Sequence, residues 1–182
     1  KWITPSRDLI NDYKQENDTV RLNQTVVYYA CTWSNYYPAS NYPFMYKYRS
    51  GYNNQYKLRL ADIILLEAEA YAYQGNTAKS AELVNIVRHR AKLPNLASDK
   101  MASKDAMIEA VLHERRLELA LEGERWFDLC RNGKVEKYMN NLNSRDSGRL
   151  LQRKKFDQNS YLLPMPQSAL DENNNLQQNP GY

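Results

Sequence analysis

The chain has 182 residues, of which 42% are hydrophobic and 25% charged, a composition that suits one domain or a compact piece of a larger one and argues against disorder. Its formal charge of +4 is spread along the sequence, and the one dense basic run, Arg149, Arg153, Lys154 and Lys155, lies beside Asn and Ser without interleaved aromatics, which argues against nucleic acid as a partner. No apolar run approaches the roughly 20 residues that span a bilayer, and the sequence starts at Lys1 with no charged, apolar, then small-residue leader, so it reads as a C-terminal portion whose membrane attachment lies upstream.

Pro5-Ser6 precedes Asp8 to Tyr13, and Ser6 is placed to cap a short helix. Val20 to Tyr29, with Val20, Leu22, Val26, Val27 and Tyr28, predicts a strand or extended segment. Over residues 28–56 the tyrosines, Trp33 and Phe44 sit among Asn, Ser, Pro and Gly with neither a helical nor a strand period, which predicts a long irregular loop. A loop of this length is functional or disordered, and its aromatic density argues against disorder.

Residues 58–91 predict an antiparallel helical hairpin. Leu58 to Gln74 is rich in helix formers, Gly75 stands at the C-terminal cap, and Asn76 or Thr77 caps a second helix running to Ala91. Ala68, Tyr71, Gly75 and Ala81 resemble the small and aromatic positions of a tetratricopeptide repeat. One hairpin cannot bury both its faces, so the following helix and further helices outside this portion are expected to stack on it. Ser103 caps a predicted helix from Lys104 to Glu122, Gly123 closes or bends it, and Trp126 to Leu129 continue the helical segment 104–139. A polar linker over 140–155 leads to the tail 156–182, with a short extended piece, a bend at Pro164-Met-Pro166 and a helical turn near Ser168 to Glu172.

Cys31 and Cys130 are too few for a disulfide framework or a zinc site and read as a loop thiol and a buried small apolar residue. His89 and His113 have no partner at ligand spacing, so neither metal nor cofactor is expected. Glu114, Glu118 and Glu122 share one helix face and could form an acid/base pair. The interleaved Arg115, Arg116 and Arg125 favour a buried structural charge network, because ion pairing holds carboxylates ionised where a general acid needs the reverse. No phosphate loop, nucleophile elbow or metalloprotease motif is present, so no enzyme is expected. The candidate ligand-binding residues are Trp33, Asn35, Tyr36, Tyr37, Asn41 and Tyr42. Their rings could stack on a sugar face while the amides bond its hydroxyls, or could pack the loop onto the helical body.

Several segments, in this order, resemble the C-terminal part of the SusD/RagB family. They are Pro5 to Tyr13, Tyr46-Lys-Tyr48, Arg59 to Ala70, Asn85 to Arg88 with Arg90-Ala91, Glu114 to Asp128, Leu163-Pro-Met-Pro-Gln167 and the closing Gln178-Asn-Pro-Gly-Tyr182. The resemblance implies a mainly α, SusD-like fold of tetratricopeptide-like hairpins with long irregular loops. It also implies a lipoprotein on the extracellular face of a Bacteroidetes-type outer membrane, held by a lipid anchor upstream of this chain. Such a protein binds oligosaccharide without chemistry and passes it to a SusC-like TonB-dependent transporter; the alternatives are a RagB-like peptide binder and a helical protein-interaction scaffold.

Overall fold

Helix starts follow their caps. In the computed structural model, which describes residues 4–50, 57–141 and 155–182, Ser6 accepts the Leu9 amide and opens α1 (Arg7–Gln15). Asn76 accepts from Lys79 ahead of α4 (Thr77–Arg90), and Ser103 from Ala106 ahead of α5 (Lys104–Glu118). Each side chain meets one amide that the first helical turn leaves unbonded. Helix α3 (Leu60–Tyr73) starts without a side-chain cap; Arg59, at the capping position, turns to Glu118 and Glu122 instead. Gly75, with φ +80°, supplies the left-handed turn between α3 and α4 that a side chain would strain.

The chain forms two compact units, residues 1–125 and 126–182. In the first, α3, α4 and α5 enclose the main core. Leu65, Ala68 and Ala72 meet Ala81, Val84 and Val87, and Met107, Val111 and Leu112 close the third side. Alanine at facing positions lets α3 and α4 approach closely enough for the buried Ser80 hydroxyl to donate to the Ala68 carbonyl at 2.7 Å. Burying a residue such as Leu65 contributes about 1.5–3 kcal/mol. A second cluster places Leu9 and Tyr13 of α1 against Leu117 and Ala120. The opposite face of α3 leaves Leu60, Ile63 and Tyr73 exposed.

Two expectations are corrected here. The segment expected to be extended from Val20 begins instead as α2 (Thr19–Thr25), because Asp18 caps it by accepting the Arg21 amide. Helical geometry also brings Arg21 to its buried carboxylate partners. Only β1 (Val26–Tyr29) is extended. The stretch expected to be irregular contains its partner β2 (Tyr42–Met45), paired antiparallel with Val26 opposite Met45 and Tyr29 opposite Tyr42. Pro43 argues against a strand in sequence, but a two-stranded ribbon has only edges, where proline is tolerated. The end of the expected irregular segment, residues 51–56, lies outside the described residues.

Helix α5 stops at Glu118, short of the expected Glu122. Leu121 (φ +66°) and Gly123 (φ +96°) both take left-handed backbone. The carbonyls freed there are not wasted: Lys47 Nζ reaches those of Glu118 and Ala120 at 2.8 and 3.2 Å, and Arg59 Nη2 reaches Glu118 at 2.7 Å. Cations at a helix C-terminus both bond its carbonyls and oppose its dipole.

In the second unit α6 (Arg125–Arg131) runs on from the first, followed by α7 (Val135–Met139) and α8 (Gln167–Glu172). Leu129 and Val135 are buried. The expected extended piece after Phe156 is a 3-10 turn over Gln158–Tyr161, closed by a reciprocal capping box between Asp157 and Ser160. The two proline-containing tail segments bond each other. The Gln178 side chain accepts from Met165 N at 2.8 Å and donates to Met165 O at 3.1 Å, and Asn179 Nδ2 donates to Leu163 O at 2.6 Å. The expected polar linker falls largely on residues 142–154, outside the described residues. Among the described residues no helix is long and apolar enough to cross a membrane, and no group of three His, Cys, Asp or Glu side chains could hold a metal ion.

Candidate functional site

Two polar clusters of the first unit could carry function. The first surrounds the α5 carboxylates. Glu114 accepts from Arg21 at 2.7 Å and Arg88 at 3.1 Å. Glu118 accepts from Arg59 at 2.7 Å, Arg90 at 2.5 Å and Arg21 at 3.2 Å. Glu122 accepts from Arg59 at 2.7 Å and Lys47 at 2.5 Å. The structural network is therefore present, but not with the arginines expected to form it. Arg115 pairs with Asp62 at 2.8 Å and Arg116 with Asp8 and Asp12, while Arg125 donates to the Leu112 carbonyl at 3.1 Å. Helical phase is the reason: neighbours in sequence point about 100° apart and serve other faces, whereas residues four apart share one.

The electrostatics of this cluster suit structure rather than acid catalysis. Burial pushes the Glu118 carboxyl up, but the hydrogen bond and charge of Arg59, with Arg90 and Arg21, bring it below the usual carboxylate range. Burial holds the Lys47 ammonium below its usual range despite Glu122. A cleft of about 370 Å³ opens here, lined by Arg21, Lys47, Arg59, Arg90 and Glu118 among others. Its polar groups are mostly committed to one another. Nη2 of Arg21 is the buried side-chain nitrogen left without a hydrogen-bond partner among the described residues.

The second cluster is built on the β1–β2 ribbon and the connection between its strands. Tyr42, Phe44 and Cys31 are buried in its centre, and the ring centroids of Tyr42 and Phe44 lie 5.2 Å apart. The buried thiol is thus that of Cys31, whereas Cys130 is half-exposed. Above this centre Trp33 tilts against Tyr42 at 5.6 Å while remaining 62% exposed. Tyr37 meets Tyr42 edge-on at 5.5 Å and Tyr36 meets Tyr37 edge-on at 4.8 Å, geometries that aromatic quadrupoles favour.

Polar contacts fix the loop. Cys31 N donates to Ala39 O at 2.7 Å, Ser34 Oγ bonds the Tyr42 hydroxyl at 3.0 Å, and the Tyr37 hydroxyl donates to Pro5 O at 2.9 Å. The Arg7 guanidinium, at the start of α1, lies 4.5 Å from the Tyr36 ring centre and 4.8 Å from that of Tyr37, and it donates to the Tyr36 carbonyl.

Of the six candidate residues, Trp33, Asn35, Tyr36 and Tyr37 line one concavity of about 740 Å³. Asn41 is exposed but does not line it. Tyr42 is buried beneath Trp33, at 2% exposure, because its ring packs into the ribbon; it supports the site and offers no face to a ligand. Arg7 also lines the concavity and was not among the candidates. The sequence places Arg7 on a helix far from the tyrosines, and tertiary contacts such as Tyr37 to Pro5 and Arg7 to the Tyr36 carbonyl bring them together. An exposed indole with half-buried tyrosines and an amide can take up a flat, partly apolar, hydroxyl-bearing ligand such as a sugar ring.

The sequence profile of the SusD family matches residues 42–182. The chain is 37% identical over 99 residues to SusD-like protein P38 of Formosa agariphila, an alignment covering 51% of this chain and 20% of that protein. Its fold is similar to that of a SusD superfamily protein from Bacteroides vulgatus, with a TM-score of 0.75 at 21% identity over 98% of this chain and 44% of that one. It is similar, too, to a laminarin binding SusD-like protein, with a TM-score of 0.61 at 27% identity over 97% and 37% of the two chains. The chain thus spans less than half the length of these relatives. The match of the family profile over residues 42–182, most of the chain, shows that this protein belongs to the SusD family.

Proposed function

We propose that this protein is a non-enzymatic glycan-binding component of the outer cell surface, which captures oligosaccharide for import through a SusC-like TonB-dependent transporter. The single observation that carries the reading is the exposed Trp33 indole, held on a buried aromatic base and bordering a concavity with Asn35, Tyr36 and Tyr37. A rigid aromatic face loses little conformational entropy when a ligand stacks on it, and amides at the rim can pair with hydroxyls. The similarity to a laminarin binding SusD-like protein supports a sugar as the ligand class. The α5 carboxylates are bound to arginines and lysine, which supports binding over hydrolysis.

The test is affinity electrophoresis and calorimetry of the protein against plant, host and microbial polysaccharides, beside a Trp33→Ala, Tyr36→Ala double variant. Binding to one glycan class that the variant loses is the expected result. A blank panel would move the reading to peptide capture, and binding retained by the variant would put the site elsewhere.

A further inference from the structure

We infer that the cleft beside α5 is a second binding site, which takes one small oxyanion, such as a phosphate or carboxylate group, against Arg21 and Arg90. It is independent of the Trp33 loop. The cleft, of about 370 Å³, opens where α2, the start of α3 and the end of α4 meet α5, and each contributes a lining side chain: Arg21, Arg59, Arg90 and Glu118. The carboxylates lie on the inside and the cations toward the opening. Glu114, Glu118 and Glu122 are almost fully buried, whereas Lys47 and Arg59 are partly exposed and Arg90 is 59% exposed.

Within the cleft the acceptors are filled while donors remain. Oε1 of Glu118 accepts from Arg59 and Arg90, and Oε2 from Arg90 and Arg21, which uses the lone pairs a carboxylate offers. Lys47 gives its ammonium to Glu122 and to the carbonyls of Glu118 and Ala120, so it contributes charge and no further bond. Arg21 sends Nε to Asp18 and Nη1 to Glu114 and Glu118; its Nη2 is buried without a partner among the described residues. Arg90 meets Glu118 through Nη2 alone, which leaves the N–H groups of Nε and Nη1 for another acceptor. A buried N–H left unpaired costs its full desolvation. A hydroxyl would bring one more donor into this surplus, whereas an oxyanion brings acceptors only, together with the charge that arginine forks bind best.

The experiment titrates the protein calorimetrically with inorganic phosphate and, separately, with acetate, at an ionic strength held constant with sodium chloride so that screening does not change. The two probes distinguish a tetrahedral group from a planar one. The expected result is saturable binding of at least one of them, at one anion per chain. Arg90→Gln, at an exposed position, weakens that binding about tenfold, as loss of a charge-assisted hydrogen bond predicts. Arg21→Lys, which keeps the charge but lacks Nη2, weakens it as well. Lys79→Gln, which removes an exposed charge of α4 paired with Glu82, leaves it as in the wild type. The anion that binds also raises the urea midpoint of the wild-type protein more than that of Arg90→Gln, because it binds the folded state.

Absence of saturable binding with both anions would overturn the inference. So would binding that Arg90→Gln leaves undiminished, or a loss that Lys79→Gln reproduces, since either would trace the effect to net charge or to another place on the surface. If Arg21→Lys does not fold, Arg90→Gln decides the matter, because its side chain stands largely in solvent.

Discussion

The α5 charge cluster and the Trp33 loop are both dense in groups that can bind ligands, yet their groups face in opposite directions. Around α5, carboxylates and cations are joined into a closed set: Glu114, Glu118 and Glu122 take up Arg21, Arg88, Arg59, Arg90 and Lys47. In the loop only the lower layer is closed. Tyr42, Phe44 and Cys31 are buried, whereas Trp33 stands in solvent. What separates scaffold from candidate site is where the polar atoms and ring faces end, rather than how many there are.

That contrast can be broken most severely at Glu118. Replacing it with alanine takes a carboxylate partner from Arg21, Arg59 and Arg90 at a 1% exposed position, leaving Arg21 with Glu114 and Arg59 with Glu122, and breaking a buried ion pair costs about 3–5 kcal/mol. Urea unfolding should show that loss; a change under about 1 kcal/mol would mean that the network contributes little. Leu65→Ala, at a fully buried site of the α3–α5 core, should cost about 3 kcal/mol in the same assay through lost transfer energy and a cavity. Trp33→Ala should do the reverse. It should cost less than about 1 kcal/mol of stability, as surface substitutions do, while lowering glycan affinity about tenfold, or about 1.4 kcal/mol. A large loss of stability there would make Trp33 part of the packing.

Two smaller effects sharpen the same boundary. The buried Tyr13 hydroxyl donates to Leu117 O at 2.6 Å, and burial pushes it up to about 12. Tyr13→Phe should therefore cost about 1 kcal/mol. Because the folded-state value is raised, the stability tied to this hydroxyl is present below about 10 and is lost as pH climbs toward 12. Glu16 sits at the other end of the scale. The hydrogen bond to His113, opposed by burial and aided by Arg88, lowers its carboxyl from 4.5 to about 2. A lowered folded-state value means that the unfolded chain takes up the proton first, so this contribution is present above pH 4.5 and lost as pH falls toward 2. Glu16→Gln should flatten a small part of the acid limb of a stability-against-pH curve; an unchanged limb would show that Glu16 is solvated like any surface acid.

The helices were legible from sequence wherever their signals are local. Ser6, Asn76, Ser103 and Gly75 act on residues three or four away, and a cap reads the same before and after folding. The elements that misled are those decided at a distance. Helix α2 carries β-branched residues, yet it places Arg21 against Glu114, ninety-three positions away. Strand β2 contains Pro43 and exists because β1 pairs with it. The partners of Glu114, Glu118 and Glu122 were misjudged for the same reason, since adjacency in sequence is not adjacency on a helix surface. In the candidate site, aromatic density singled out Trp33, Asn35, Tyr36 and Tyr37, which do line one concavity. It could not separate the exposed Trp33 from the buried Tyr42, nor find Arg7, because both depend on how the ribbon lies over the start of α1.

Glu118 meets arginines from three separate elements, α2, the start of α3 and the end of α4. No single second-site change can replace three partners at once, so as sequences diverge this position should be among the last to drift, and its arginines should drift only together. The exposed Trp33 and Asn35 at the Trp33 concavity are not members of that charge network. Trp33 and Asn35 should be exchangeable singly without disturbing α3, α4 or α5, so the surface of the loop can vary while the frame beneath it is kept.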